Sequence, residues 1–432
     1  MILVYTHRVT TRVRYIFTHF FNTYTDHEVS FTNVLETFIA HSGPKLSYTK
    51  NALGNEFFIQ SHVLLFEQGL RDYDISLDLW GDTPAFFACV EKSAIPFDLF
   101  AASFYMLSRY EEYMPHLKDH MGRFNTQNSL LFAEDKLKLP VVDIWAQQFL
   151  DRFLIDFPEI QKKTHLPVLK TVLEVPECFA YQSKSLLRSV VESLLDLFNL
   201  RLGSFVDRMA VRFGVRKDPY DVYDDWIAWH QKQHISTNVL FLFARPGTHD
   251  RNINIFKKRF QSKIKQVSDY LPVSLLASFQ SVGSIDLLEE ERKRLGLLIH
   301  RRLRIVRQHH LRLRFPDSYR DFTACGYQHD YSLQFTDCAG YRAGTGFPFY
   351  FYDLSSEQRT SLQIHPVAVS ESILRKQGTP RKARRLLETL KKHATLYGTP
   401  LTLVALPTMI DNRKNNSPWR RMFRSFLEEY AQ

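Results

Sequence analysis

The sequence predicts an α/β fold: a parallel sheet or (β/α) barrel in the second half, preceded by a smaller α+β domain. Two observations carry this expectation. From Val168 onward, short apolar runs alternate with helical ones, as in strands joined by crossover helices. Before that, the polar stretch from Pro158 to Pro167 is bracketed by prolines and reads as a linker. The expected domains are therefore residues 1–160 and 168–432.

In the first part, Glu56 to Ile59 and His62 to Phe66 look like short strands between polar turns. Phe97 to Tyr113 keeps its apolar residues at helical spacing, Gly122-Arg123-Phe124 reads as a turn, and Pro140 opens a helix reaching about Phe157. In the second part, strands are expected at Thr171–Val175, Asn238–Phe243, Val273–Leu276, Phe347–Tyr352 and Leu401–Ala405. Helices are expected near Lys184–Leu200, Ile255–Tyr270 and Ile285–Ile299. A further basic, amphipathic helix runs through RKARRLLETLKKH, with Leu386, Leu387 and Leu390 facing inward.

Composition narrows the function classes. The chain has 432 residues, 44% hydrophobic and 24% charged, with no low-complexity run, which is the balance of a globular protein. Its 35 Phe and 20 Tyr suit a strand-rich core and surfaces on which sugars stack. Cys89, Cys178, Cys325 and Cys338 have no metal-ligand spacing and are too few for a disulfide scaffold. With no long apolar leader and no run long enough for a membrane span, the expected location is the cytoplasm. The net charge of +10 raises nucleic acid as a partner. A solvated helix face explains the basic cluster without one, however, and no nucleic-acid motif accompanies it.

The segment from Tyr341 to Leu354, YRAGTGFPFYFYDL, is the most informative string. Gly344 and Gly346 permit a turn that approaches a ligand or a neighbouring loop closely. Arg342 offers a planar fork of donors there. One reading is a ligand-contacting turn; the other is a tight turn feeding a core strand, with Arg342 on a buried carboxylate.

Several strings together resemble the polysaccharide deacetylase-like proteins, the NodB-homology class of carbohydrate esterases, in a branch with an extra N-terminal domain. They are KDPYDVYD from Lys217, RQHHLR from Arg307, PDSYR from Pro316, CGYQHDYS from Cys325, the YRAGTGFPFYFYDL segment, and Ile364-His365-Pro366. FDLFAASFYMLSRYEEYMP, GRF and PVVDIW look like the extra domain. The resemblance implies a distorted (β/α) barrel. It also implies a divalent metal such as zinc, held by an aspartate and histidines, with a carboxylate base and a histidine acid to remove acetyl groups from amino sugars.

Position by position, that centre is depleted. Where the class has Asp-x-Asp, this chain has Glu174-Val175-Pro176; Glu174 could serve as base, but Pro176 has no ligating side chain. Glu177 follows, on the opposite face if the strand continues. Leu276 and Leu406 stand where the resemblance places histidines, and an aliphatic chain neither ligates nor transfers protons. His309, His310, His329 and His365 remain, with Asp330, Glu371 and Arg342, but none shows metal spacing.

The leading expectation is a catalytically degenerate deacetylase-like protein without a metal. It would still bind a glycan, or a protein of a polysaccharide pathway, through a cleft bordered by Arg307, His309, Arg342 and His365. A second is an active amide hydrolase with an altered centre, metal-dependent or metal-independent, with Glu174 as base and His309 or His365 as acid. It requires Glu174, a histidine and Arg342 to converge. A third is a basic nucleic-acid-associated scaffold. The position matching itself requires Glu174, Leu276 and Leu406 to surround one cleft.

Overall fold

The computed structural model describes residues 1–182, 198 and 202–430. The helix expected near Lys184–Leu200 falls outside the described residues but for residue 198. In the first part, strands β1 (Ile2–Tyr5), β2 (Val29–Thr32), β3 (Lys45–Thr49) and β4 (Phe58–Gln60) form one parallel sheet in the order β2-β1-β3-β4. Its all-parallel pairing differs from the segregated sheet that α+β implies. A small antiparallel hairpin follows, β5 (Asp78–Trp80) with β6 (Thr83–Ala85).

Helices cover the parallel sheet because their apolar stripes need a partner. Thr10 caps the helix Thr11–Tyr24 by accepting from the Val13 N–H, and that helix buries Val13, Ile16, Phe17, Phe20 and Phe21. Phe17 stacks on Phe100 at 3.8 Å between ring centroids. Phe100 belongs to the helix Leu99–Leu107, every residue of which is buried, and Asp98 caps it. The helix expected over Phe97–Tyr113 is broken at Arg109, whose φ of 54° starts a short second helix at Tyr110. The strand expected over His62–Phe66 is instead a 3-10 turn at Val63–Leu65, capped by the His62 ring, which accepts from the Leu64 N–H.

The second part is built on a nine-stranded sheet. Its strands are β7 (Leu169–Val175), β8 (Ser236–Phe241), β9 (Val273–Ala277), β10 (Ile305–Gln308), β11 (His329–Asp330), β12 (Phe349–Asp353), β13 (Gln358–Ile364), β14 (Val369–Ser370) and β15 (Leu401–Ala405). The order is β12-β13-β11-β10-β9-β8-β7-β15-β14, parallel except for the β12–β13 hairpin. Val172, Leu240, Leu276, Tyr331, Val367 and Val404, drawn from both sides of the sheet order, pack into one inner cluster, so the sheet curls strongly. The expected distorted barrel is seen in part, as this curled sheet; a closed barrel is not shown, and among the described residues β12 and β14 remain edges. The link from His365 to Ala368 carries the chain directly from pairing with β11 to pairing with β15.

The two parts meet along the Tyr341–Leu354 segment. Gly344 has φ +68°, and a Cβ there would lie 2.9 Å from Val141 Cγ2. Its carbonyl accepts from the Val142 N–H at 2.8 Å. Asp143, on the helix Val141–Asp156, accepts from the Thr345 hydroxyl and the Gly346 N–H. Tyr352 reaches back to Thr11. One hydrophobic core runs through residues of both parts, from Ile2 to Leu427.

Candidate functional site

The parallel strands all end on one side, and that is where a cleft of about 670 Å³ opens. Carboxyl ends of parallel strands are the usual place for sites in such sheets, because the loops there carry side chains free of the ladder. Glu174 and Pro176 come from the end of β7, Thr248, His249 and Arg251 from the loop after β8, and Arg307 and His309 to Leu311 from the end of β10. Ser370 closes β14 and Leu406 follows β15. Alternation along β7 puts Val172 in the inner cluster and Glu174 above it on the same face, at the cleft.

Glu174 is not a free carboxylate. Its Oε2 accepts from Arg307 Nε at 2.7 Å, with the two side chains 12% and 2% exposed. Arg307 also donates to the Tyr331 carbonyl and to Gln334 Oε1 at 3.0 Å, and Gln334 in turn donates to the Ser370 hydroxyl. Nε, Nη1 and Nη2 of Arg307 each donate one hydrogen bond within the protein, which fixes the guanidinium and with it Glu174 while leaving a second N–H on each Nη.

Beside this pair stands His309, whose Nδ1 lies 2.9 Å from Asp250 Oδ1. Burial pushes the Asp250 carboxyl up, but the His309 ring and the N–H groups of Phe279 and Gln280 outweigh it and hold it below the usual range. An anchored Nδ1 fixes the imidazole and leaves Nε2 as the nitrogen for a ligand. His310 and Leu311 both have positive φ, 58° and 56°, an arrangement that costs energy in non-glycine residues and concentrates at functional loops. Arg251 lines the rim, and Arg123 donates to the His310 carbonyl at 2.9 Å while paired with Asp119.

The structure brings Glu174, Arg307 and His309 together, with Pro176 and Leu406 in the same lining; of the three residues that the matching required around one cleft, Glu174 and Leu406 line it and Leu276 does not. Three expectations are not met. Leu276 does not line the cleft; it sits one layer below in the inner cluster, in register with Arg307. Arg342 does not line it either. Its Nε and Nη2 donate to the two oxygens of Glu112 at 2.8 and 2.5 Å, and Nη1 donates to the Gln334 carbonyl. Arg342 thus braces the residue that holds Arg307, from behind the wall.

His365 is also outside the cleft, stacked on Tyr331 at 4.5 Å with its Nε2 3.1 Å from His329 Nδ1. Burial, followed by Lys170, lowers its pKa to about 3, so it is neutral and poorly suited to donate a proton. The residue that sequence reasoning missed is Asp250. It lies 59 positions from His309, and no spacing rule links a loop after β8 to the end of β10.

Among the described residues, no group of three or more His, Cys, Asp or Glu side chains stands where it could hold a metal ion. At the cleft, Glu174 is bound to an arginine and His309 to an aspartate, proline and leucine stand at the other matched positions, and Glu177, His249 and His310, which also line it, complete no such group. These residues do not fit a divalent metal of the kind the resemblance implies.

A family model described as a family of unknown function, DUF7033, matches residues 2–158. No curated protein matches the chain. Among solved structures, the chain is similar to a protein assigned as a polysaccharide deacetylase from Mycobacterium smegmatis, at 12% identity and TM-score 0.41, over 62% of this chain and 85% of that one. It is similar to a 4-alpha-glucanotransferase from Thermococcus litoralis at 8% identity and TM-score 0.37, over 62% and 38%. A third is a mutant of a CE4 family pseudoenzyme with restored enzymatic activity, at 8% identity and TM-score 0.29, over 62% and 65%. Superpositions this loose carry no argument about activity, and the functional reading rests on the residues. No described helix is long and apolar enough to cross a membrane.

Proposed function

We propose that this chain is a polysaccharide deacetylase-like protein that has lost metal-dependent hydrolysis and binds a glycan in the cleft at the strand ends. The observation that carries the reading is the Arg307–Glu174 pair. The only carboxylate at the matched base position is tied to an arginine at 2.7 Å, in the same lining as Pro176 and Leu406. The cleft keeps what sugar recognition needs: fixed donors on Arg307, an open ring nitrogen on His309, rim arginines, and apolar surface from Pro176, Leu311 and Leu406.

Calorimetric titration with N-acetylglucosamine oligomers tests it. Binding should saturate, and Arg251→Ala, a rim change with no hydrogen-bond or ion-pair partner to lose among the described residues, should weaken it about tenfold, the worth of one charge-assisted hydrogen bond. Oligomers that fail to bind, or bind equally to the variant, would contradict the reading.

The His309–Asp250 pair favours a second reading, a metal-independent hydrolase with His309 as general acid–base. Loss of a slow amide hydrolysis on His309→Gln, with oligomer binding retained, would select it over the first.

A further inference from the structure

A second groove, sharing no lining residue with the cleft, lies between the helix Thr11–Tyr24 and the β12–β13 hairpin. Its volume is about 510 Å³, within the range of small-molecule sites. Neither Asp nor Glu lines it, whereas Arg14 and Arg359 both do. Neither guanidinium has an acidic partner among the described residues. Each instead rests over an aromatic ring: Arg14 is 5.4 Å from the Phe31 centroid and Arg359 is 4.6 Å from that of Tyr350. Such placement holds an arginine in position while leaving its in-plane donors open. Tyr350 itself lines the groove and is 38% exposed.

The independent observation is His19. It lines the same groove, and its Nε2 is buried with no hydrogen-bond partner. Buried polar atoms are nearly always paired, so an orphan on a groove wall points to a group that occupies the groove. Its ring stacks on Tyr15 at 6.4 Å and 15°. Burial lowers its pKa to about 4, so near pH 7 the ring is a neutral hydrogen-bonding group and adds no charge. Asn22 supplies a side-chain amide on the same wall.

We propose that this groove binds a small acidic sugar, a polyhydroxylated ring carrying a carboxylate or a phosphate. Arg14 and Arg359 hold the anionic group, Tyr350 offers its ring to the sugar, and His19 and Asn22 meet hydroxyls. The pairing of two unneutralised guanidinium groups with an orphan imidazole and an exposed ring is what selects this class. Planar forks match carboxylate and phosphate oxygens, and a neutral sugar would leave both charges without a partner. The site is independent of the cleft and of the glycan assigned there.

Calorimetry on the full chain with glucuronic acid, glucose 6-phosphate, glucose and inorganic phosphate tests the proposal. At least one acidic sugar should bind ten times or more tightly than glucose, and the stronger of the two identifies the anion. Arg359→Ala and Arg14→Ala, both at exposed positions, should each weaken that binding tenfold or more without moving the melting temperature. Arg251→Ala at the cleft should leave it unchanged. Glucose binding as tightly as the acids, unaffected binding in the arginine variants, or no acidic sugar bound at millimolar concentration would each overturn the proposal. Inorganic phosphate binding as tightly as glucose 6-phosphate would overturn the assignment of the sugar ring.

Discussion

At the scale of single residues, the molecule is governed by buried charges with assigned partners. Glu112 is held between Arg342 and Arg109, with all three side chains at most 3% exposed. Burial pushes the Glu112 carboxyl up, yet the two guanidinium groups outweigh it and keep it below the usual range. Removing one member leaves the others charged and buried, so Arg342→Ala should destabilise the fold by about 3–5 kcal/mol in denaturant titrations. A ligand-contact role for Arg342 would leave stability nearly unchanged. Asp143 behaves oppositely: burial raises its pKa to about 7, against the pull of the Thr345 and Tyr24 hydroxyls and the Gly346 N–H. The folded state holds that proton more tightly than the unfolded chain, whose carboxyl titrates near 3.8. Its contribution is therefore fully present below about pH 4 and falls away as pH rises to about 7. Asp143→Asn should make the stability profile shallower between pH 4 and 7, measured by urea unfolding; an unchanged slope would show that another group titrates there.

At the scale of elements, the Tyr341–Leu354 segment decides how the two parts of the chain join. Its glycines make space for protein and not for ligand: a Cβ on Gly344 would meet Val141, and one on Gly346 would lie 2.8 Å from the Pro400 carbonyl. Gly344→Ala combines that crowding with a φ of +68°, and it should cost about 1–3 kcal/mol, read as a lower melting temperature. This segment also shows what was legible in the sequence. The turn and strand could be read from glycine spacing and aromatic density, the helix Ile285–Ile299 from its apolar spacing, and the helix Val141–Asp156 from the proline that opens it. Pro176 and Leu406 were placeable because each directly follows a strand whose end could be found. Leu276 was not, because layers on one face of a strand are two residues apart, and a two-residue difference decides between the cleft and the layer beneath it. For Arg342 the reading of a tight turn with the arginine on a buried carboxylate is the one the structure bears out; which carboxylate was not legible, because Glu112 lies 230 positions earlier, a distance over which sequence pattern carries no contact information.

At the scale of the whole molecule, the curled sheet has an aliphatic interior and a polar end. The interior is Val172, Leu240, Leu276, Val367 and Val404, which makes it a packed core. The end carries Glu174, Arg307, His309 and Asp250, where the parallel strands stop. Replacing Glu174 by Ala tests how firmly that end is built. It would strand Arg307, 2% exposed, and should destabilise the protein by about 3 kcal/mol, whereas a carboxylate kept only for catalysis could be removed at little cost. On the proposed reading, the cleft of a deacetylase-like framework binds a glycan and no divalent metal. Titration of zinc, cobalt and nickel into the protein, with acetate release from N-acetylglucosamine oligomers followed in the same samples, tests it most directly. The account predicts no micromolar metal binding and no metal-stimulated acetate; micromolar affinity accompanied by acetate release would contradict it.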